Sequence, residues 1–268
     1  MRVRALAVFA ILAHMSAPAV AADVVLLHAA GSLRDALTDI ARSFEAQTGA
    51  IVQAKFGASG LLKDEIAGGA NAAVFASANM EHPQALMLAK RGGPVVLFAR
   101  NKLCALVRPG LAVAPESLLD RMLDPGVRIG TSTPKADPSG DYAWEVFRKA
   151  DRLKPGAYAI LERKALQLTG GPTSPAPPPG RTIYGTLVAQ GAADIFLTYC
   201  TNAVAAQKEN PGQQILSLPD ALAVGADYGL IVLNDASASA YKFALFILSA
   251  EGQRALADHG FAAPGLPQ

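Results

Sequence analysis

Three hydroxyls in this chain stand where a small anion could be held. Ser32 lies in AAGSLRDAL, Ser59 in FGASGLLKDEI and Ser139 in ADPSGDYAWEVF. Each follows an apolar run and opens an amphipathic segment, so each sits at a strand-to-helix junction. The free N–H groups of a helix start point outward, and the dipole there amounts to roughly half a positive charge. A serine hydroxyl adds one donor, and neighbouring glycines leave the backbone open to approach. Taken singly, each junction also reads as an ordinary serine N-cap or a tight turn. Three together form a more specific pattern than any one. Other chemistry is thinly supplied. His28, His82 and His259 are scattered, with no pair at metal-ligand spacing, so neither a metal site nor a cofactor is expected. GASGL is not the G-x-S-x-G elbow that a serine hydrolase needs. Asp141 with Tyr199 is the one acid pair that an enzyme reading could use, and no enzyme is expected. Tyr142 and Trp144 fall in a helix and read as core. Cys104 and Cys200, in KLCALV and IFLTYC, form no CxxC pair. They read either as one disulfide between adjacent strands or as two buried thiols.

The elements that must position these residues alternate. VVLLHA is a strand, and SLRDALTDIARSFEAQTG is a helix capped by Ser32 and closed by Gly49. Its Leu33, Leu37, Ile40 and Phe44 recur at three- and four-residue steps. Strands AIVQAKF, AAVFAS, PVVLFA, KLCALV, VRIGTS, ADIFLTY and DYGLIVL follow. Helices LLKDEIAGG, MEHPQALMLAKRGG, PESLLDRML, GDYAWEVFRKA and TIYGTLVAQG are interspersed among them. Alternation of this kind implies an α/β fold with largely parallel sheets. LTGGPTSPAPPPGRT, Leu168 to Thr182, is too rich in proline and glycine for helix interior or central strand and is expected as loop. ASASAYKFALFILSAEGQRALADHG reads as one long helix, and FAAPGLPQ as a tail.

Residues 1–22 have the form of an export signal. Arg2 and Arg4 precede the apolar run Ala5 to Ala13, and Ala19-Val20-Ala21 is a small-x-small cleavage site, with cleavage expected after Ala21 or Ala22. That run is too short for a bilayer span, which takes about 20 residues. The formal charge of +2 includes the two signal arginines, so the remainder is near neutral with no basic stripe. Nucleic acid and membrane surfaces are therefore not expected partners.

The order and content of AAGSLRDALTDIARSFEAQTG, FGASGLLKDEIAGGA, VFASAN, DPSGDYA and VAQGAADIFLTYCTNA resemble the molybdate-binding periplasmic proteins of ABC importers, which are type II binding proteins. The resemblance runs over nearly the whole chain after the signal. It implies two α/β lobes joined by crossing strands, each a mostly parallel sheet flanked by helices, with ligand in the interlobe cleft. Residues 23–103 and 227–268 would form lobe one, and 104–226 lobe two. It further implies a periplasmic monomer that captures molybdate, and tungstate with it, and delivers it to an ABC permease. Sulfate, phosphate, a small organic acid and a sensor without transport are the alternatives. Carried over, the oxyanion site comprises Ser32, Ser59, a backbone donor at Ser139, the Tyr199 hydroxyl and a backbone donor at Arg181. The loop before Ser139 looks shorter than is typical. Arg181 replaces a small apolar residue, and Ala73 and Asn79 replace aspartates. Molybdate, tungstate and sulfate carry no proton at neutral pH, so a site made of donors suits them. Phosphate keeps a proton and favours an acceptor, which Asp141 could supply.

Overall fold

The computed structural model describes residues 23–176 and 181–265. The expected export signal and its cleavage site lie outside them, as do residues 177–180 of the proline-rich segment. From the start, β1 (Val24–Ala30), α1 (Arg34–Thr48), β2 (Ile51–Gly57), α2 (Ser59–Ala67), β3 (Val74–Ser77) and α3 (Glu81–Leu88) alternate. β1 pairs parallel with both β2 and β3. Then β4 (Val96–Val107) and α4 (Leu118–Leu123) lead to β5 (Ile129–Ser132), α5 (Pro138–Leu153) and α6 (Ala157–Lys164). β6 (Ala165–Thr169), α7 (Ile183–Ala189), β7 (Ile195–Tyr199) and α8 (Cys200–Glu209) follow. β5 pairs parallel with both β6 and β7. β8 (Gln214–Ser217), β9 (Gly225–Val232), α9 (Ala238–Leu248) and α10 (Ala250–Asp258) complete the order.

β4 is the hinge of this topology. The sequence reads as two strands there, PVVLFA and KLCALV, but the chain runs straight through. Residues 96–102 pair antiparallel with β9, and residues 103–107 pair with β7 and β8. The strand order is β2-β1-β3-β9-β4-β7-β5-β6, with β8 beside β4. One strand thus belongs to two sheet halves, and each half has its own parallel core. The turns after β2 and β5 meet, as do the ends of β3 and β7, so the carboxyl ends of these parallel strands face the other half, where ligands of open α/β sheets bind.

The helices bury the faces their spacing dictates. α1 buries Ala36, Leu37, Ile40 and Phe44, and the Phe44 ring lies 5.2 Å from that of Phe243 on α9. Gly49 ends α1 at φ 72°, a left-handed C-cap that costs glycine least. α5 buries Ala143, Val146, Phe147 and Ala150.

Several expectations are corrected. The last helix is two helices. Ser249 leaves helical geometry at ψ 164°, and its hydroxyl caps α10 by accepting from Gly252 N–H at 3.2 Å. A serine inside an apolar-periodic run hid that break. α6 and β8 were not expected, and Leu168 and Thr169 belong to β6, an edge strand, where a following Pro-Gly stretch is tolerated. The expected tail is anchored where it begins: Ala262 exchanges both backbone hydrogen bonds with Arg100, and Phe261 packs on Tyr228, while residues 266–268 lie outside the described residues.

Candidate functional site

Two turns from opposite sheet halves meet at Gly60. Its N–H donates to the Ala136 carbonyl at 2.8 Å. A Cβ at Gly60 would stand 2.2 Å from the Lys135 oxygen and 2.7 Å from the Ala136 oxygen. Only glycine permits this approach, which answers why a small-residue turn opens α2. Ser59, beside it, is 1% exposed, and its hydroxyl accepts from the Ala78 N–H at 3.1 Å. Ala78 also receives the other half: the Tyr199 hydroxyl donates to its carbonyl at 3.3 Å. Ser59 and Tyr199 therefore converge on one residue, Ala78, just past the end of β3.

Ser32 lies in a single 3-10 turn, Gly31–Leu33, between β1 and α1. It does not cap the helix, as expected from sequence; α1 has no side-chain cap. Its hydroxyl instead lies 3.0 Å from that of Tyr228 on β9, which also accepts from Asn101 Nδ2 at 3.3 Å. Tyr228 and Asn101 were not singled out from sequence, because a tyrosine in an apolar strand reads as core. The Tyr199 and Tyr228 rings lie 5.5 Å apart, and Tyr142 meets Tyr199 edge-on at 6.3 Å. Burial holds all three phenols well above their usual range, so they act as neutral hydroxyls.

The second half supplies α5. Asp137 is its N-cap, Pro138 its first residue, and the Asp137 carboxylate accepts from the Ser139 N–H at 3.0 Å. The donor expected to face an anion thus already has an acidic partner in this structure. The Ser139 hydroxyl is fully buried and has no protein partner. Gly140 lets the turn fold back tightly, since a Cβ there would lie 2.6 Å from the Ser132 oxygen. Below, Ser132 and Thr169 share a hydroxyl hydrogen bond of 2.9 Å. Burial pushes Asp137 up to about 6, against the bonds from Ser139 and Ser132 that pull it down, with the Asp141 charge adding to the rise. Asp141, the acid expected from sequence, instead accepts from the Lys135 N–H at 2.9 Å. The sequence reading opened this helix at Ser139-Gly140; the structure opens it at Asp137-Pro138, so Ser139 lies in the first turn and is not the cap, because the Asp137 side chain takes that role.

Arg181 stands apart. Its guanidinium turns to Glu209 at 3.2 Å, and Glu209 also takes the Thr182 N–H. Asn79, where the resembling family has aspartate, caps the start of α3: its side-chain oxygen accepts from His82 N–H and from Ser77. Ala73 donates its N–H to Leu26 O at the entry to β3. Beside Tyr142 opens a cleft of about 380 Å³ lined by Met80, Glu81, Tyr142, Gly225 and Asp227. Asp227 is paired there with Arg100 at 2.9 Å.

Cys104 and Cys200 form a disulfide, with Cα atoms 4.9 Å apart across 96 residues. It ties the first turn of α8, immediately after Tyr199, to β4. Among the described residues no group of three or more His, Cys, Asp or Glu could hold a metal ion. No described helix is long and apolar enough to cross a membrane.

Residues 25–262 match the family model for bacterial extracellular solute-binding protein. An uncharacterized protein of Pasteurella multocida is 35% identical over 234 residues, 87% of this chain and 96% of that protein. The periplasmic molybdate-binding protein of Azotobacter vinelandii superposes with a TM-score of 0.70 at 21% identity, covering 91% of this chain and 100% of that one. The sulfate-binding protein of Mycobacterium tuberculosis gives 0.72 at 19% identity, covering 90% and 87%. At such identities the structural likeness concerns the fold.

Proposed function

We propose, from the premise that this chain belongs to the family of bacterial extracellular solute-binding proteins, that it captures a small tetrahedral oxyanion. The anion would lie between two lobes, residues 23–103 with 227–268 and residues 104–226, and would be handed to an ABC permease from the periplasm by a monomer. The observation that carries this reading is the convergence of Ser59, Tyr199 and the start of α5 around the Ala78 and Ala136 peptides. Hydroxyls and helix starts from both halves meet there, the donor set an oxyanion needs. Ser32, Ser59 and Tyr199 would supply side-chain hydroxyls, and Ser139 and Arg181 backbone donors, as the resemblance implies, with the buried Ser139 hydroxyl as a further group. Molybdate and tungstate head the candidates because the sequence resembles binders of those anions, and a fold shared with a sulfate binder keeps sulfate in the panel. No covalent step and no cofactor belong to this reading. Calorimetric titration of the secreted form with molybdate, tungstate, sulfate and phosphate tests it. Saturable binding of one or more supports it, and the absence of heat from all four overturns it.

A further inference from the structure

Asn101 lies on β4 just before that strand passes from β9 to β7. Its side-chain amide is held in one orientation, because Oδ1 accepts the Lys102 N–H at 2.9 Å. A reversed amide would set two donors against each other there. Nδ2 therefore faces the site, and both of its protons are committed. One goes to the Thr201 hydroxyl oxygen at 2.9 Å, on the first turn of α8 in the other sheet half. The other goes to the Tyr228 hydroxyl oxygen at 3.3 Å. An amide nitrogen offers no acceptor, so Tyr228 cannot donate back to it. The Tyr228 proton turns instead to the Ser32 hydroxyl, 3.0 Å away. Tyr228 is fully buried, and burial holds its phenol well above the usual range, so that proton stays in place. The neighbouring Tyr199 hydroxyl donates to the Ala78 carbonyl and does not compete for the Tyr228 oxygen.

We propose that Asn101 is a positioning residue that orients the Ser32 hydroxyl as a donor to the bound ligand. The inference rests on the oxyanion reading above and deepens it. Hydrogen bonds run in one direction, from the Asn101 amide to Tyr228 and from Tyr228 to the Ser32 oxygen. The chain ends on the Ser32 proton, which has no acceptor among the described residues. An oxyanion oxygen is an acceptor and takes that proton. Bonds in such a chain polarise one another, which strengthens the last donor. Without the amide, Tyr228 and Ser32 are two hydroxyls free to exchange roles. In one of the two arrangements the Ser32 proton is spent on Tyr228, and a lone pair faces the anion. Thr201 holds the second amide proton from the other sheet half. The donor direction of Ser32 is thus tied to a contact between the halves.

Reversing the relay separates it from a merely structural role. Asn101→Asp keeps the side-chain shape and the bond from the Lys102 N–H, but its second oxygen accepts where Nδ2 donated. Tyr228 then donates to the new carboxylate, Ser32 donates to Tyr228, and a lone pair faces the ligand. Tyr228→Phe cuts the relay and leaves the Ser32 proton free. Molybdate, tungstate, sulfate and inorganic phosphate are titrated by calorimetry into the wild type, the two single variants and the double variant, with circular dichroism reporting the fold. For whichever anion the wild type binds, Asn101→Asp should weaken affinity about tenfold or more, the scale of a lost hydrogen bond to a charged group, and Tyr228→Phe should cost less. Combining the two should restore affinity toward that of Tyr228→Phe alone, because the carboxylate no longer acts on Ser32. Structural damage or the added charge would instead make the losses add. A double variant that binds no better than Asn101→Asp overturns the inference and leaves the oxyanion reading standing, and so does wild-type affinity in Asn101→Asp. Should Asn101→Asp not fold, Asn101→Leu removes both donors without adding charge; it is expected to bind more weakly than the wild type, and equal affinity overturns the inference. A wild type that binds none of the four anions removes the oxyanion reading and this inference with it.

Discussion

Ser59 is the side chain on which the binding proposal is most exposed. Its hydroxyl is buried, fixed by the Ala78 N–H, and placed at the start of α2. Ser59→Ala is expected to weaken oxyanion binding by about 1–3 kcal/mol, the range for a hydrogen bond to a charged group. An unchanged dissociation constant removes Ser59 from the site. Gly60→Ala acts differently. Its methyl would overlap the Lys135 and Ala136 carbonyls, so the two turns must part. Affinity should drop at least tenfold while circular dichroism stays native; full affinity would show that the contact is dispensable. Asp137 also carries a stability signature. Its folded pKa of about 6 lies above the unfolded value, so the folded state binds the proton more tightly and stability falls as pH rises from about 4 to about 6. Asp137→Asn removes that penalty. It should gain up to about 2 kcal/mol over the wild type at pH 7.5 and little at pH 4, read from urea unfolding at both.

Elements are held in place by two cross-links. Asp194, just before β7, is 3% exposed and pairs with Arg108 after β4 at 2.6 Å and with Arg128 before β5 at 3.0 Å. It also accepts the Arg128 N–H. The Arg128 hydrogen bonds hold its carboxyl down to about 2, despite burial. The sign is opposite to that of Asp137: this stability is present above about pH 4 and is lost as pH falls toward 2. Both arginines are partly exposed, which limits the loss to about 1–2 kcal/mol. Asp194→Asn should flatten acid unfolding in that window, and an unaltered acid limb would contradict the assignment. The second cross-link is the Cys104–Cys200 disulfide, which closes a loop of 96 residues. Replacing both cysteines with serine should cost about 2–5 kcal/mol. A thiol titration of the unfolded, unreduced protein should find no free cysteine; two free thiols would rule the bond out.

At the scale of the whole molecule, the sheet halves share β4 and touch through few hydrogen bonds. Gly60 meets Ala136, Tyr199 meets Ala78, and Asn101 meets Thr201 at 2.9 Å. The Tyr199 and Tyr228 rings also pack across the interface at 5.5 Å. If the two halves part and rejoin, a ligand would favour the joined form because only it completes the donor shell. Saturating concentrations of whichever of molybdate, tungstate, sulfate and phosphate binds in the titration should lower the radius of gyration of the wild type in X-ray scattering and leave that of Gly60→Ala unchanged. An equal decrease in both would mean that closure does not pass through this contact.

Much of the architecture was legible in the chain itself, because periodicity and turn chemistry are local. Leu33, Leu37, Ile40 and Phe44 marked one helix face, Gly49 its end, and alternating strands and helices the α/β class. The small-residue junctions at Ser32, Ser59 and Ser139 were visible for the same reason. What depends on contact between distant segments was not. The partner of Ser32 is Tyr228, 196 residues away; Gly60 matters because of a turn 75 residues later; and Arg181 is turned aside by Glu209. Asp137 was passed over for Ser139 as the helix start, and its packing against Gly170, 33 residues later, exists only in the folded chain. Sequence determines which groups a chain can offer, since donors and acceptors are properties of residue types. Tertiary structure decides which of them remain free for a ligand, since a donor already bonded across the cleft has none left to give.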